Sequence, residues 1–518
     1  MSIDRSWLPI GVLATAVLSA AVPAVPLGQA ASSSTRVPRV WYEAALAEWA
    51  TPLAGLNVRP THISTAGYYS LSVENLRTYP VYFPGREPEG YWEMLQRVGP
   101  KPLIEPAAIT TDAAWVDAGR RVFDELDDLQ LRTFDPKFVT AARSPDTYRG
   151  RAPLPDGTVS DLRWVPTKDG VALSVPNCRN CHLQYLPDGT RVPGAPTFAR
   201  QTPGAGGRSG LNRAMQTANR YVTGGAPFQM AAGEPLGNWL YQASGVPWRP
   251  DDVNARVKAV SDAEYNALIS AVVGGGGVPR WNGSLYHPAK IPDLIGIRDR
   301  KYIDHTATHL HRNAGDFMRY AALVSFAETS DFGSYHMLAA GTRRPQRRVP
   351  DDALYALAMY VYSLQPPPNP NSMDERARAG QKIFAREGCV QCHTPPLYTS
   401  NKVTLAQGFA APGSPPAGLD VLPITVGTDP GLALDTRKGT GFYKVPSLRG
   451  VWYRGHYLHD GAAASLEEMF DPDRVKDTHV AGGWKLPSET SHPIKGHPFG
   501  LLLDPSERAQ LLAFLRTL

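Results

Sequence analysis

The chain has 518 residues, with 53 Lys and Arg against 48 Asp and Glu for a formal charge of +5. That length allows more than one buried core, and so small a basic excess, with no Lys/Arg stripe interleaved with aromatics, gives no support to nucleic acid as a partner. The 47 glycines and 48 prolines argue against a plain helical bundle and for helices joined by long loops and turns.

The first 30 residues run MSIDRSWLPIGVLATAVLSAAVPAVPLGQA: a short basic start at Arg5, an apolar run, and Gly28 and Ala30 as small residues for cleavage. A retained anchor is the competing reading, because the run approaches the roughly 20 residues that span a bilayer. Pro9, Pro23 and Pro26 weigh against it. The expectation is a signal peptide over 1–30, an N-terminal extension over 31–111, and a periplasmic or secreted protein with no membrane span after cleavage.

From residue 112 the text begins to repeat itself. "DAGRRVFDEL" precedes the motif "NCRNCHLQY", and "RAGQKIFARE" precedes "GCVQCHTPP". Both motifs read Cys-x-x-Cys-His, and together they use all four cysteines: Cys178, Cys181, Cys389 and Cys392. On a short helix, positions i, i+3 and i+4 share one face. Two thiols can therefore bond the two vinyl groups of a c-type haem while His182 or His393 turns toward iron. Structural zinc separates its cysteine and histidine pairs, a thioredoxin site needs one pair, and a disulfide framework has no use for a histidine after each pair. Two covalently bound c-type haems are expected.

The repeat continues downstream. "IPDLIGIRDRKYIDHTA" from Ile291 returns as "VPSLRGVWYRGHYLHDG" from Val445, a shift of 154 positions that lays Pro292, Leu294, Gly296, Arg300 and His305 on Pro446, Leu448, Gly450, Arg454 and His459. Helical apolar spacing follows at the same shift in 350–364 and 504–518. The organisation is then a cytochrome c domain 1 over 112–364, a Pro-rich linker over 365–371 and a cytochrome c domain 2 over 372–518. Domain 1 carries two insertions, between Phe123 and Cys178 and between His182 and Ile291. The second holds Gly274–Gly277, read as a flexible loop, with Trp248 and Trp281 nearby.

A haem capped on both faces passes electrons, and one with an open face meets peroxide or dioxygen. His497, on a Gly-bounded turn before the last helix, is the expected second ligand opposite His393, with His459, His456 and His492 as alternatives. Its counterpart at the 154 shift is Arg343, which cannot ligate. His305 and His459 are assigned to support of the haem pockets, and His309 and His311 to acid/base work, alongside ordinary packing. HExxH is absent around His305, so a separate zinc site there is not favoured. Trp281 is a candidate carrier of an electron or radical, and the arginines in "TRRPQRRVP" read as a solvated loop.

These motifs, with "FYKVPSLRGVWYRGHYLHDGAAASLEEMFD" after the second, resemble the dihaem cytochrome c peroxidase superfamily, including its MauG-type oxidases, over roughly 112–518. The resemblance implies a mainly α fold, two cytochrome c-type haem domains related by a pseudo-twofold with long loop-rich insertions in the first, and a calcium ion between the haems. It also implies one reactive and one electron-transferring haem. The family's methionine ligand falls on Leu458, which cannot bind iron. A late histidine instead, and "TYPVYFPGREPEGYWEML" (78–95), resemble the rubber-oxygenase branch. Two functions stand open at this point: an oxidoreductase using peroxide or dioxygen on an unknown substrate or redox partner protein, and a purely electron-transferring cytochrome with both irons capped.

Overall fold

Two pairs of helices, one for each copy of the repeat, frame the protein in the computed structural model, which describes residues 37–54, 58–128, 132–150, 152–197, 260–277, 285–325, 330–332, 347–410, 412–436 and 438–518. In the first half, α1 (Asp112–Glu125) starts where the Thr111 hydroxyl accepts from the Ala114 amide, and buries Trp115, Ala118, Gly119, Val122 and Phe123 at helical spacing. The short helix α2 (Cys178–His182) carries the first haem motif. Helix α3 (Ala314–Ser325) leads toward α4 (Asp351–Ser363), which buries Leu354, Leu357 and Val361. In the second half, α5 (Glu375–Arg386) is capped by Asp374 and buries Ile383 and Phe384, and α6 (Pro505–Arg516) is capped by Asp504 and buries Leu511, Leu512, Phe514 and Leu515.

The two pairs cross in the same way. A Cβ at Gly119 would overlap the Ala356 carbonyl and crowd Tyr360, and a Cβ at Gly380 would overlap the Gln510 carbonyl and crowd Phe514. Ala356 and Gln510, like Tyr360 and Phe514, stand 154 positions apart. Only glycine lets the helices approach this closely, so the Ala-Gly shared by the two opening segments is a packing requirement. Each pair seeds its own core. Phe123, Leu354 and Val361 pack with Phe317 and Met318, and Phe384 packs with Leu466, Met469, Leu511 and Phe514. Fully burying one such side chain stabilises the fold by about 1.5–3 kcal/mol.

The first core also takes in Trp41, Trp49, Tyr68 and Leu103, so the described part of the N-terminal extension completes that core. The first insertion departs from the loop-rich expectation. Strands β1 (Tyr79–Tyr82), β2 (Thr158–Thr167) and β3 (Gly170–Ser174) form an antiparallel sheet in that order, with Arg163 opposite Ser174 and Thr167 opposite Gly170. Strand β2 is buried along nearly its whole length, which erases the alternation by which a half-exposed strand is recognised. The hairpin runs straight into Cys178, and Arg179 Nη2 donates to Ser160 O at 3.1 Å.

In the second insertion a helix over Asp262–Gly274, capped by Ser261 and Glu264, ends in the glycine run. That run is packed, contrary to the reading as a flexible loop: a Cβ on Gly275 would stand 2.6 Å from Trp484 Cβ, and Gly277 bridges to Lys290. In the second half, β4 (Val403–Leu405) lies between β5 (Val421–Thr425), parallel to it, and β6 (Phe442–Lys444), antiparallel, which delivers Lys444 to the site below. Among the described residues no helix is long and apolar enough to cross a membrane. The expected leader, Trp248, Trp281, Arg343 and Arg344 lie outside the described residues.

Candidate functional site: two cavities joined by a doubled phrase

The two copies of the repeated phrase meet and exchange hydrogen bonds. Lys290 N donates to His459 O at 2.7 Å, and Lys444 N donates to His305 O at 2.9 Å. Lys290 and Lys444 are themselves 154 positions apart, each directly preceding its phrase. Their side chains obey the same exchange: Lys290 Nζ donates to His456 O at 2.6 Å, and Lys444 Nζ donates to Tyr302 O at 3.3 Å and Ile303 O at 2.6 Å. Within the copies, Arg300 Nη1 donates to Asp293 O at 2.6 Å and Arg454 Nη2 to Ser447 O at 2.7 Å. The sequence repeat has thus become a local two-fold arrangement of backbone and cations.

A cavity of about 260 Å³ lies on one side of this junction, lined by Cys389, Cys392, His393, Leu458, His459 and His497 among others. His393 Nδ1 faces the carbonyls of Pro446 at 3.1 Å and Tyr398 at 3.2 Å, which fixes that nitrogen as the proton-bearing one and leaves Nε2 as the ligand atom. The His393 and His497 ring centroids are 6.4 Å apart. Two metal–nitrogen bonds of about 2 Å each, plus the ring radii, ask for roughly 6 Å. Burial pushes the His393 imidazole down to about 4 and that of His497 to about 3, keeping both neutral as ligation requires.

His497 is held in place at a cost. Its φ is +44°, a left-handed conformation rare for a residue with a side chain, and its N–H donates to Val426 O at 2.5 Å. The fully buried Arg474 spans the same loop: Nε donates to Met469 O at 2.8 Å, Nη2 to Gly496 O at 3.0 Å and His497 O at 2.8 Å, and Nη1 to Ile494 O. Four carbonyls thus share one guanidinium with no carboxylate among these partners.

The second cavity, about 210 Å³, is lined by Cys178, Cys181 and His182 together with His305, Asp304, His309 and Lys438. His309 Nδ1 stands 3.7 Å from Asp304 Oδ2, and Asp304 Oδ1 accepts from Thr308 N at 2.8 Å. Burial works against the charge on Asp304, yet His309, Lys438 and the Thr308 amide outweigh it and hold the carboxyl down at about 2. On its other side His309 meets His62 Nε2 at 3.4 Å and the Trp49 ring at 4.2 Å, so the N-terminal extension backs this histidine.

The remaining expected residues divide. His305 lines both cavities and bonds through Nε2 to Lys290 O at 2.7 Å. His459 lines the His393 cavity and stacks on Tyr443 at 4.4 Å. His311 lines neither described cavity, because its two ring nitrogens engage Arg300 O at 2.7 Å and Tyr362 Oη at 2.6 Å. Among the described residues no group of three or more His, Cys, Asp or Glu gathers as for a metal ion. Sequence reading passed over Lys290 and Lys444, Asp293, Asp304, Lys438, His62 and Arg474. The lysines carried a signal, since they extend the doubled phrase by one position; Arg474 and His62 carried none. The residues fit c-type haem: each cavity presents two thiols and a histidine from one motif, and the wall offers cations to the haem carboxylates.

No protein-family model matches the chain. A cytochrome-c peroxidase, IdrP1, of Denitromonas iodatirespirans is 30% identical over 168 residues, covering 28% of this chain and 41% of that protein. IdrP1 of a Pseudomonas strain is 28% identical over 174 residues, 29% of this chain and 41% of its own. The methylamine utilization protein MauG of Methylorubrum extorquens is 42% identical over 76 residues, 15% of this chain and 18% of that protein. The chain therefore spans about two fifths or less of the length of these relatives. Among solved structures, a MauG-like protein associated with microbial copper homeostasis overlaps 56% of this chain and 92% of its own at 16% identity and a TM-score of 0.28. A hydrazine synthase chain of Kuenenia stuttgartiensis overlaps 57% of this chain and 91% of its own at 18% identity and a TM-score of 0.26. In these stretches the chain is similar in sequence to a cytochrome-c peroxidase and to MauG, which supports the dihaem cytochrome c peroxidase and MauG-type superfamily.

Proposed function

We propose that this protein is an exported dihaem c-type oxidoreductase in which the haem on Cys178, Cys181 and His182 activates peroxide or dioxygen, while the haem on Cys389, Cys392 and His393 is six-coordinate and relays electrons. The units over 112–364 and 372–518 are its two haem domains, joined by the linker 365–371. The observation that carries the reading is the approach of His393 and His497 across one cavity, at a spacing that would let both imidazoles hold one haem iron. The asymmetry is supported by Arg343, a residue unable to ligate, at the position matching His497.

Haem supplies electron transfer and, where a coordination position is open, activation of peroxide or dioxygen. The chain's own residues supply the rest. Leu458 sets an apolar wall where the resemblance places a sulfur ligand, and His497, facing His393, would cap the second haem. In the first cavity the Asp304 carboxylate, 3.7 Å from His309 Nδ1, favours the protonated imidazole through its charge, so His309 can take up and return the proton that oxygen–oxygen chemistry moves. Phe123, Leu354, Leu357 and Val361 keep that cavity dry.

Carbon monoxide titration of the reduced protein tests the assignment. One equivalent bound per two haems, rising to two in His497→Ala, is expected. No binding to the native protein would replace this reading with electron transfer through two capped irons.

A further inference from the structure

The wall between the cavities gathers four buried cations, with Asp293, Asp460 and Asp304 as the carboxylates acting on its two lysines. The lining of the His393 cavity includes four cations, Lys290, Arg300, Lys444 and Arg454, and one carboxylate, Asp293. The arginine side chains are 13% and 11% exposed, and Asp293 Oδ2 lies 3.7 Å from Arg300 Nη2 and 3.9 Å from Arg454 Nε, so one acid is shared between two guanidiniums. Neither lysine pairs with it: Lys290 Nζ makes one hydrogen bond and Lys444 Nζ two, all to carbonyl oxygens. Arg454 Nε is buried with no hydrogen-bond partner among the described residues. A charge enclosed in this way is costly unless an anion meets it, and burial with like-charged neighbours pushes both lysines down to about 7. Carbonyl contacts alone leave donors unused. The cluster is therefore shaped for an anionic occupant, and a c-type haem presents two carboxylates on the edge away from its thioether bonds.

We propose that Lys290, Arg300, Lys444 and Arg454 form a carboxylate-binding cluster for the haem propionates, and that Lys290 serves both haems at once. Lys290 lines both cavities, whereas Lys444, Arg300 and Arg454 line the His393 cavity alone. The backbone makes Lys290 a strut as well: its carbonyl accepts from His305 Nε2 and its amide donates to His459 O, tying the histidines that end the two phrases. A single buried ammonium thereby adjusts the reduction potentials of both irons, since removing positive charge near a haem favours the oxidised state.

The inference rests on the dihaem reading, and the measurements separate the two. Pyridine haemochrome assay counts haems in the purified protein; a native count of one sinks the dihaem reading itself. Resonance Raman propionate bending bands and spectroelectrochemical midpoints then read Lys290→Met, Lys444→Met and the charge-preserving Lys290→Arg. Lys290→Met is expected to shift the bands and lower the midpoints of both haems, Lys444→Met those of the low-spin haem alone, and Lys290→Arg to stay close to the native protein. If Lys290→Met loses haem, recovery of two haems in Lys290→Arg supports the charge role and failure to recover overturns it. Two retained haems with bands and midpoints unchanged in both Met variants would also overturn the proposal.

Discussion

The two cavities arise from one repeated text, yet they gather different groups around them. Both take two thiols and a histidine from a Cys-x-x-Cys-His motif, both sit beside a helix pair crossed over glycine, and both abut Lys290. Beyond that frame they diverge. The His393 cavity closes on a strained histidine held by a buried arginine, an arrangement suited to ligation and electron transfer. The His182 cavity is backed by an Asp304–His309 pair and by the N-terminal extension, an arrangement suited to moving protons. The repeat keeps the thiol pairs, the histidine after each and the glycine crossings, while the insertions and the loop before α6 change what faces each cavity.

Several substitutions break or sharpen this comparison, beginning with the most severe. Cys178→Ser with Cys181→Ser, set against Cys389→Ser with Cys392→Ser, should each halve the haem count in a pyridine haemochrome assay. Carbon monoxide binding should vanish in the first variant and persist in the second; persistence in the first would invert the assignment of roles. Gly119→Val and Gly380→Val drive a side chain into a helix backbone in equivalent places. Each should cost about 3 kcal/mol or more in denaturant unfolding, and equal penalties would mark the two crossings as equivalent.

Arg474→Met leaves the carbonyls of Met469, Ile494, Gly496 and His497 without their donor and frees a strained residue. A loss of about 3 kcal/mol is expected, with the low-spin EPR signal of the second haem giving way to high spin. A variant that unfolds more easily but keeps the low-spin signal would make Arg474 structural only. His309→Ala should slow peroxide consumption by roughly 10²–10⁴-fold while leaving that low-spin signal intact, so a matching change at both haems would count against a local role.

The smallest effect is a pH dependence confined to the first cavity. The Asp304 carboxyl is depressed to about 2 from an ordinary 3.8, so its stabilising contribution is complete above the unfolded value and is lost as pH falls through about 4 toward 2. The contribution is about 2 kcal/mol. Asp304→Asn should flatten the acid limb of the stability curve by that amount, and an unchanged limb would place the acid sensitivity elsewhere.

Particular residues show where sequence reading stops. The haem motifs, the opening and closing helices and the doubled phrase were legible because each is a local pattern: spacing on one helix face, caps, or a shift of 154 that needs only counting. The loop before the last helix folds back and stands His497 across a cavity from His393, which a position late in the chain allows. The sheet in the first insertion was not legible, since the buried strand β2 shows no alternation. The glycine run looked like a loop because chain-distant contacts with Trp484 and Lys290 leave no local trace. His311 looked like its neighbour His309, and only the fold turned one into the cavity wall and the other toward Arg300 and Tyr362.

By itself the sequence determined two thiol pairs, each followed by a histidine, and the fact of repetition. Both are written in residue identity and spacing along the chain. Tertiary structure alone decided that the two phrases clasp each other, that Lys290 stands at both cavities, that Arg474 holds the His497 loop, and that His62 backs His309. Those outcomes depend on groups up to 247 residues apart sharing a few ångströms, and burial, which sets the charge state of each of them, belongs to the folded chain and not to its letters.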